Sequence, residues 1–281
     1  MKKLFFIFFI CNIILVGCSD DKLPQFNQLN KIRVIALTTP TPEVNPGDTV
    51  TITPVVSDIT ATTLKDSVRV CIDLGVSYGV TPNCDNNLST LSVHSQRSLT
   101  LPGLAESWTG AADTFTVTVP SEPVIFAHRS EVEKYNGVNY LVEYTLENSS
   151  GEKLQAFKRI VVSSTLKTDK NTNPVATDIF ANGVSMTTLP LAQKINLATD
   201  VNSGTAQSYQ LKNSAGLLVN QTELITVTWM ITDGETKYFR SEIGQDNEYT
   251  TPEASPSGRS AYVFAVVRDD RGGVTVVKKK F

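Results

Sequence analysis

The sequence is poor in histidine, tryptophan and cysteine, and it has no excess of positive charge. Its 281 residues include two histidines, two tryptophans and four cysteines, and the formal net charge is −3. A chain without a basic stripe cannot neutralise a run of phosphates, so the composition argues against nucleic acid as a partner. The sequence also contains no glycine-rich phosphate loop, no His-Glu-x-x-His and no Gly-x-Ser-x-Gly, so the enzyme classes that those motifs mark find no support.

The scarcity of histidine limits imidazole acid–base chemistry to His94 and His128. Both lie in polar stretches typical of surface histidines, so we predict that the protein is not an enzyme and uses no cofactor. The alternative is a hydrolase or another enzyme of the cell envelope, with one of these imidazoles as general base.

Acidic residues in the second half raise the question of a metal site. Calcium takes about six to eight oxygen ligands, often from loops. Five carboxylates fall in predicted loops: Asp233, Glu235, Asp246, Asp269 and Asp270. Their spacing matches no dedicated motif, and Asp in a tight turn commonly bonds the local backbone. We therefore predict no metal site, with calcium bound between these loops as the alternative.

The chain begins with a long hydrophobic run. Lys2 and Lys3 precede an apolar stretch over residues 4–17, which is shorter than the roughly 20 residues of a transmembrane helix. This order is typical of a secretory signal peptide. The stretch ends in Leu15-Val16-Gly17-Cys18, which resembles the lipobox of bacterial lipoproteins.

The lipobox resemblance implies that residues 1–17 are removed and that Cys18 carries acyl chains. Two or three acyl chains hold a protein durably on a membrane. Ser19 resembles the sorting pattern that permits export to the outer membrane, so we predict a lipid-anchored outer-membrane protein on its periplasmic or surface face. An ordinary signal peptide with an incidental cysteine is the alternative.

The four cysteines have different predicted roles. Cys11 leaves with the signal peptide and Cys18 is lipidated, so Cys71 and Cys84 remain in an oxidising compartment. We predict that they form a disulfide, worth about 3 kcal/mol in the chain-entropy model. Two free buried thiols are the alternative.

The mature chain alternates between short apolar and polar positions. Val68, Val70 and Ile72 alternate with Arg69 and Cys71, which places Cys71 on the opposite face of its strand. A later strand runs through Ile225, Val227, Trp229 and Ile231, with threonines predicted to face outward. Many such strands with frequent turns predict an all-β sandwich or barrel.

The polar segment TLKTDKNTNP predicts a linker between two halves. We therefore divide the chain into a lipoprotein signal peptide (1–17), a tether (18–30), a first β-sandwich domain (31–165) and a second β-sandwich domain (166–281).

Three segments resemble bacterial immunoglobulin-like modules. TPEVNPGDTVTITPVVSD resembles their opening strands, and VTWMITDGE resembles their central strand with Trp229 at the core tryptophan position. AVVRDDRGGVTVVKK resembles the last hairpin of PKD-like modules. The resemblance implies two tandem immunoglobulin-like β-sandwiches. The chain departs from antibody domains because it lacks their Cys…Trp…Cys pattern, and because Trp108 lies in an irregular segment.

We expect a lipid-anchored envelope protein that acts as a non-catalytic binding or structural module. The membrane is its first partner, through the acyl chains on Cys18, and a protein or glycan is the possible second. A purely structural spacer is a further alternative.

Trp108 and Tyr78 could form an exposed aromatic contact, although aromatic rings packed inside the fold are the simpler interpretation.

Overall fold

The computed structural model describes residues 26–57, 63–75, 80–99 and 114–281. Predictions on Cys18, Tyr78 and Trp108 lie outside these residues. Within the described part of the chain, no helix is both long and apolar enough to cross a membrane.

The first half is built from strands and two short helices. The strands are β1 (Arg33–Thr38), β2 (Glu43–Val44), β3 (Thr49–Ser57), β4 (Leu64–Ile72), β5 (Leu91–Leu99), β6 (Phe115–Thr118), β7 (Val138–Asn148) and β8 (Lys153–Val162). The helices are α1 (Glu122–Ile125) and α2 (Glu131–Asn136), and a capping box at Ser130 and Glu133 starts α2.

These strands form two sheets. One sheet has the order β1-β3-β6 and the other β2-β8-β7-β4-β5. All pairs are antiparallel except the short β2, which runs parallel to the end of β8. In chain order this is the arrangement of an immunoglobulin sandwich. Strands β1, β3 and β6 take the places of A, B and E, and they face β4, β7 and β8 in the places of C, F and G.

The second half consists of shorter strands. They are β9 (Ile179–Ala181), β10 (Val184–Ser185), β11 (Lys194–Thr199), β12 (Ser208–Lys212), β13 (Leu218–Thr222), β14 (Thr226–Ile231), β15 (Glu235–Thr236), β16 (Arg240–Glu242), β17 (Asn247–Thr250), β18 (Tyr262–Arg268) and β19 (Val274–Lys280). A 3₁₀ turn covers Ser203–Thr205.

The second half repeats the central strand order of the first: β9-β11-β17 corresponds to β1-β3-β6, and β19-β18-β14-β16 corresponds to β8-β7-β4-β5. One sheet runs β10-β9-β11-β17-β15 and the other β16-β14-β18-β19. The β12–β13 hairpin forms a separate two-stranded sheet, inserted between the strands that correspond to B and C. The predicted all-β sandwich fold is therefore confirmed.

Each half has its own hydrophobic core between its two sheets. The core of the first half includes Val68, Tyr140 and Ile160, and that of the second includes Trp229 and Val263. Trp229 is 1% exposed and its Nε1 donates to the Ser241 hydroxyl at 2.9 Å. The predicted core position of this tryptophan is thus confirmed.

A third apolar cluster joins the two halves. It places β1 and β3 of the first half against the outer face of the β14-β18-β19 sheet. Its buried members are Leu29, Ile35, Ala36, Val55, Met230, Tyr262, Phe264 and Val266. Every residue from Tyr262 to Val267 is consequently buried, which is typical of a strand covered on both faces.

Thr228 departs from the sequence prediction for β14. The threonines of this strand were expected to face solvent, but Thr228 is 5% exposed. Its hydroxyl accepts a hydrogen bond from Arg268 at 3.1 Å. The difference arises because the outward face of this sheet is covered by the first half.

The last residues of the predicted tether lie against the second half. Asn27 and Leu29 are 3% and 1% exposed. The Leu29 N–H donates to the Ile231 carbonyl at 2.7 Å, and the Ile231 N–H donates to the Asn27 carbonyl at 3.0 Å. The Asn27 side chain also donates to the Thr236 hydroxyl. The chain therefore crosses the second half before it enters β1.

Candidate functional site

A buried cluster of charges lies where the two halves meet. The Glu43 carboxylate is 1% exposed, 2.9 Å from the Lys167 ammonium and 2.8 Å from the Arg271 guanidinium. Arg271 also reaches the Glu223 carboxylate at 3.1 Å. Two carboxylates and two cations thus neutralise one another out of water, as buried charges must.

Four separate segments supply these charges. Glu43 lies in β2, Lys167 in the predicted linker, Arg271 in the β18–β19 turn and Glu223 directly after β13. The junction exists only when both halves are folded, because two of the charges come from residues beyond 200. The predicted linker is therefore part of the packed interior, since Lys167 and Asn171 are 2% and 3% exposed.

The two carboxylates respond differently to this environment. Burial raises the pKa of Glu43, but hydrogen bonds from Ser163 and Lys167 outweigh it, so the pKa lies below its ordinary value. Burial raises the pKa of Glu223, and the nearby carboxylate of Asp269 adds to the rise. Glu43 is thus the firmly ionised member of the cluster.

Asp269 organises the turn that carries Arg271. Its carboxylate accepts from the backbone N–H groups of Arg271 at 2.8 Å and Gly273 at 2.7 Å. It also accepts from the Asn171 side chain at 3.2 Å. A methyl group on Gly273 would overlap this carboxylate and lie 3.1 Å from the Thr172 carbonyl. The predicted role of Asp269 as a turn residue is confirmed, and the turn also contacts the linker.

Lys158 links the same turn to the first half. It lies in β8 between inward-facing apolar residues, and its ammonium donates to the Gly272 carbonyl at 2.9 Å. Burial lowers its pKa to about 8. A lysine in an apolar register is thus accommodated by a carbonyl from the second half.

A cleft of about 460 Å³ opens beside the charge cluster. The Arg271 guanidinium stacks over the Tyr209 ring at 4.0 Å, and Arg159 reaches the Asp73 carboxylate at 2.5 Å. The charged groups that line this cleft are already matched to partners within the fold. The cluster therefore joins the two halves.

The disulfide prediction falls on the β4–β5 connection. The sulfurs of Cys71 and Cys84 lie at bonding distance, with their Cα atoms 5.8 Å apart. Both side chains pack with Leu141 in a small cluster of their own, on the face of β4 opposite Val68 and Val70, as the alternation predicted.

Hydrogen bonds and ion pairs also hold the β4–β5 connection in place. The buried Glu143 carboxylate accepts from the Cys84 backbone N–H at 2.8 Å and from Arg69 at 2.5 Å. Arg69 also reaches Asp85 at 2.8 Å. The residues around Cys84 are therefore held against the β4-β7 surface by a covalent and an ionic link.

This connection and the first residue of β5 expose four large aliphatic side chains. They are Leu74 (77% exposed), Val80 (53%), Leu88 (fully exposed) and Leu91 (60%). We name Leu74, Val80, Leu88 and Leu91 the aliphatic loop. Exposed apolar side chains that form one contiguous patch are typical of a contact surface for a protein.

The two histidines lie in different environments. His94 is in the edge strand β5, with its Nε2 3.0 Å from the buried Asp66 carboxylate. Asp66 is also bound by Arg97 at 2.6 Å and 3.0 Å, so His94 belongs to a hydrogen-bonded network around Asp66 rather than to the open surface expected for it. His128 is exposed in the turn between α1 and α2, as predicted.

The acidic residues considered for calcium do not converge. Strand β14 pairs with β18 so that Ile231 faces Val263 and Thr226 faces Arg268. Asp233 and Asp269 therefore lie at opposite ends of that sheet. Asp233 is bound through both oxygens by Arg259, at 2.5 Å and 2.7 Å. Among the described residues, no group of three or more potential metal ligands is found.

Comparisons with known proteins give little further guidance. No protein-family model matches the chain, and no curated protein matches it in sequence. Among solved structures, the YadV chaperone is 8% identical with a TM-score of 0.25, over 87% of this chain and 99% of that one.

Two other structures are similar at the same level. The sporulation control protein Spo0M from Bacillus subtilis is 11% identical with a TM-score of 0.30, over 89% of both chains. Escherichia coli alpha-2-macroglobulin activated by porcine elastase is 12% identical with a TM-score of 0.27, over 89% of this chain and 22% of that one. TM-scores this low support no inference about this protein, so the fold assignment depends on the strand pairing.

Proposed function

We propose that the protein is a lipid-anchored, non-catalytic module of the cell envelope, of the tandem immunoglobulin-like lipoprotein type, which presents its aliphatic loop to a protein partner. Acyl chains on Cys18 tether it to the outer membrane. The two sandwiches and their buried junction hold the loop in a fixed position.

The aliphatic loop is the observation that carries this proposal. Its side chains remain in water although their segment is pinned by Cys71–Cys84 and by Glu143. These links hold the described residues around Cys84 in place, and groups that are ordered before binding lose little conformational entropy. Leucine and valine side chains favour a protein over a glycan, because they offer apolar area without the aromatic stacking or hydrogen bonds that sugars use.

The buried junction supports a structural role for the rest of the molecule. Its charges are paired, and two-sided burial of β18 makes the halves pack as a domain core does. A module that presents a binding loop needs its two domains held in one arrangement. A catalytic site between two domains, in contrast, commonly needs the domains to open.

Site-specific photocrosslinking in cells tests the proposal. A photoreactive residue at Leu88 should give one saturable crosslinked protein species, and that species should weaken when Leu74 and Leu91 are changed to Ser. The same photoreactive residue at Lys153, the exposed first residue of β8, is the matched control. Equal, diffuse crosslinking from both positions would refute the proposed loop contact.

The enzyme alternative is tested separately. His94→Gln and His128→Gln should leave both the crosslinked species and every envelope phenotype of the protein intact. A phenotype lost in one of these variants, with normal protein levels, would favour the enzyme over the binding module.

A further inference from the structure

A patch of aromatic and basic side chains surrounds the point where the described chain begins. Lys237, Tyr238, Phe239 and Arg240 are four consecutive exposed residues. Phe26 packs edge-on against Phe239 with ring centroids 6.4 Å apart. We name these five residues, Phe26 and Lys237–Arg240, the aromatic–basic patch.

The aromatic rings of this patch are in water. Phe26 is 66% exposed, Phe239 54% and Tyr238 41%. Two of the three rings have a cation beside them, since Lys237 lies 5.2 Å from the Tyr238 ring and Arg240 lies 5.9 Å from the Phe239 ring. Large exposed aromatic groups next to cations match the chemistry of a membrane interface, where rings sit at headgroup depth and cations meet lipid phosphates.

The backbone holds the patch outward. The Trp229 N–H donates to the Phe239 carbonyl at 2.9 Å. The buried Asn247 side chain accepts from the Tyr238 N–H at 3.0 Å and donates to the Tyr238 carbonyl at 2.6 Å. Because these bonds fix the main chain, the rings are not free to collapse onto the core.

The length of the tether limits where the patch can be. Cys18 precedes Phe26 by eight residues, and a fully extended chain spans at most about 3.5 Å per residue, or about 28 Å in all. Phe26 is itself part of the patch, and the adjacent Asn27 is buried on the second half. An acylated Cys18 therefore keeps the patch within roughly one bilayer thickness of the lipid surface.

We propose that the aromatic–basic patch is a second membrane contact, in which Phe26, Tyr238 and Phe239 enter the headgroup region and Lys237 and Arg240 bind anionic lipid phosphates. This inference rests on the proposed acylation of Cys18. It gives the anchored protein a defined orientation, with this side of the second half on the membrane.

Fluorescence quenching in vesicles tests the orientation. The full-length acylated protein carries an environment-sensitive dye on Tyr238→Cys, or on Leu217→Cys as the control, in mixed phosphatidylethanolamine and phosphatidylglycerol vesicles. Leu217 is also exposed, at 65%, but lies in the β12–β13 turn. Headgroup-quencher lipids should quench the dye at position 238 severalfold more than the dye at 217. Changing Phe26 and Phe239 to Ser should abolish that difference while the protein still floats with the vesicles.

The outcomes separate the two proposals. Protein that fails to float with vesicles would contradict the acyl anchor itself. Protein that floats, but shows equal quenching at both positions, would overturn the membrane contact and leave the patch to a glycan or protein ligand. Quenching at 238 that persists in the Phe26→Ser, Phe239→Ser variant would also overturn it.

Discussion

Replacing Glu43 with Gln tests how the two halves are joined. The change keeps the shape of the side chain but removes the charge that faces Lys167 at 2.9 Å, and both side chains are 1% exposed. Arg271 keeps Glu223 as a partner, whereas Lys167 loses the carboxylate paired with it. Breaking a buried pair from one side costs about 3–5 kcal/mol, a large share of the 5–15 kcal/mol that is typical of a whole domain.

Urea unfolding of the unacylated Cys18→Ser protein at pH 7 measures this cost. In a Trp108→Phe background, fluorescence of Trp229 reports on the second half, and circular dichroism reports on both halves. We expect Glu43→Gln to lower the free energy of unfolding by about 3–5 kcal/mol and to separate the two signals, since the junction couples the halves. The surface pair of Lys153 and Glu147 at 3.4 Å provides the control, because Glu147→Gln should cost at most about 1 kcal/mol.

A compensating variant sharpens the test. Glu43→Leu combined with Lys167→Met removes both charges, so it should be more stable than Glu43→Gln alone. A loss below about 1 kcal/mol in Glu43→Gln, in the range of a surface pair, would refute the argument that this carboxylate holds the junction together.

Acid should act through the same residue. The pKa of Glu43 in the folded protein lies below its ordinary value of 4.5. Its contribution to folding stability is therefore fully present above pH 4.5 and is lost as the pH falls through the folded-state pKa. The wild-type protein should therefore lose more stability than Glu43→Gln in this window. Parallel curves of stability against pH for the two proteins would contradict the assignment of this acid sensitivity to Glu43.

Three further changes give distinct outcomes. Gly273→Ala should cost about 1–3 kcal/mol in urea unfolding, because the methyl group displaces the Asp269 carboxylate; Gly204→Ala, whose methyl meets only a flexible side chain, should cost less. Tyr140→Phe should leave thermal stability unchanged or slightly higher, since the buried hydroxyl of Tyr140 has no hydrogen-bond partner among the described residues. Stability should rise with pH between about 8 and 10.5 in the wild type, by at most about 3 kcal/mol, because the depressed pKa of Lys158 penalises its charged form below that window. Unfolding measured across this range should show a smaller rise in Lys158→Met, and equal slopes would contradict the assignment.

Strand periodicity made much of the fold predictable. The alternation around Cys71 correctly separated the valine face from the cysteine face, and the core position of Trp229 followed from its strand. These features depend on neighbours within one sheet, which is the range over which a two-residue period carries information.

The junction was not predictable in the same way. Glu43 lies in the two-residue strand β2, Arg271 in a turn and Lys167 in a polar linker. Charged residues in such short or irregular segments usually face solvent. Their burial depends on the packing of one sandwich against the other, and no local period encodes that packing. Thr228 was misassigned for the same reason.

Two signals could have indicated the junction. The continuous apolar run from Tyr262 to Val267 is typical of a strand covered on both faces. Lys158 occupies an inward position between Ala156 and Ile160 in β8, and a lysine in an apolar register needs a partner from elsewhere. Both features indicate that the other sandwich packs against these strands.

The intact mass of the protein purified from membranes is the decisive test of the proposed lipid anchor. We expect the mass of residues 18–281 plus acyl chains, with a gain of two hydrogens when the Cys71–Cys84 disulfide is reduced. The Cys18→Ser protein should lack the acyl mass and leave the membrane fraction. An unacylated wild-type mass would contradict the lipid anchor, and with it the proposed orientation of the second half on the membrane.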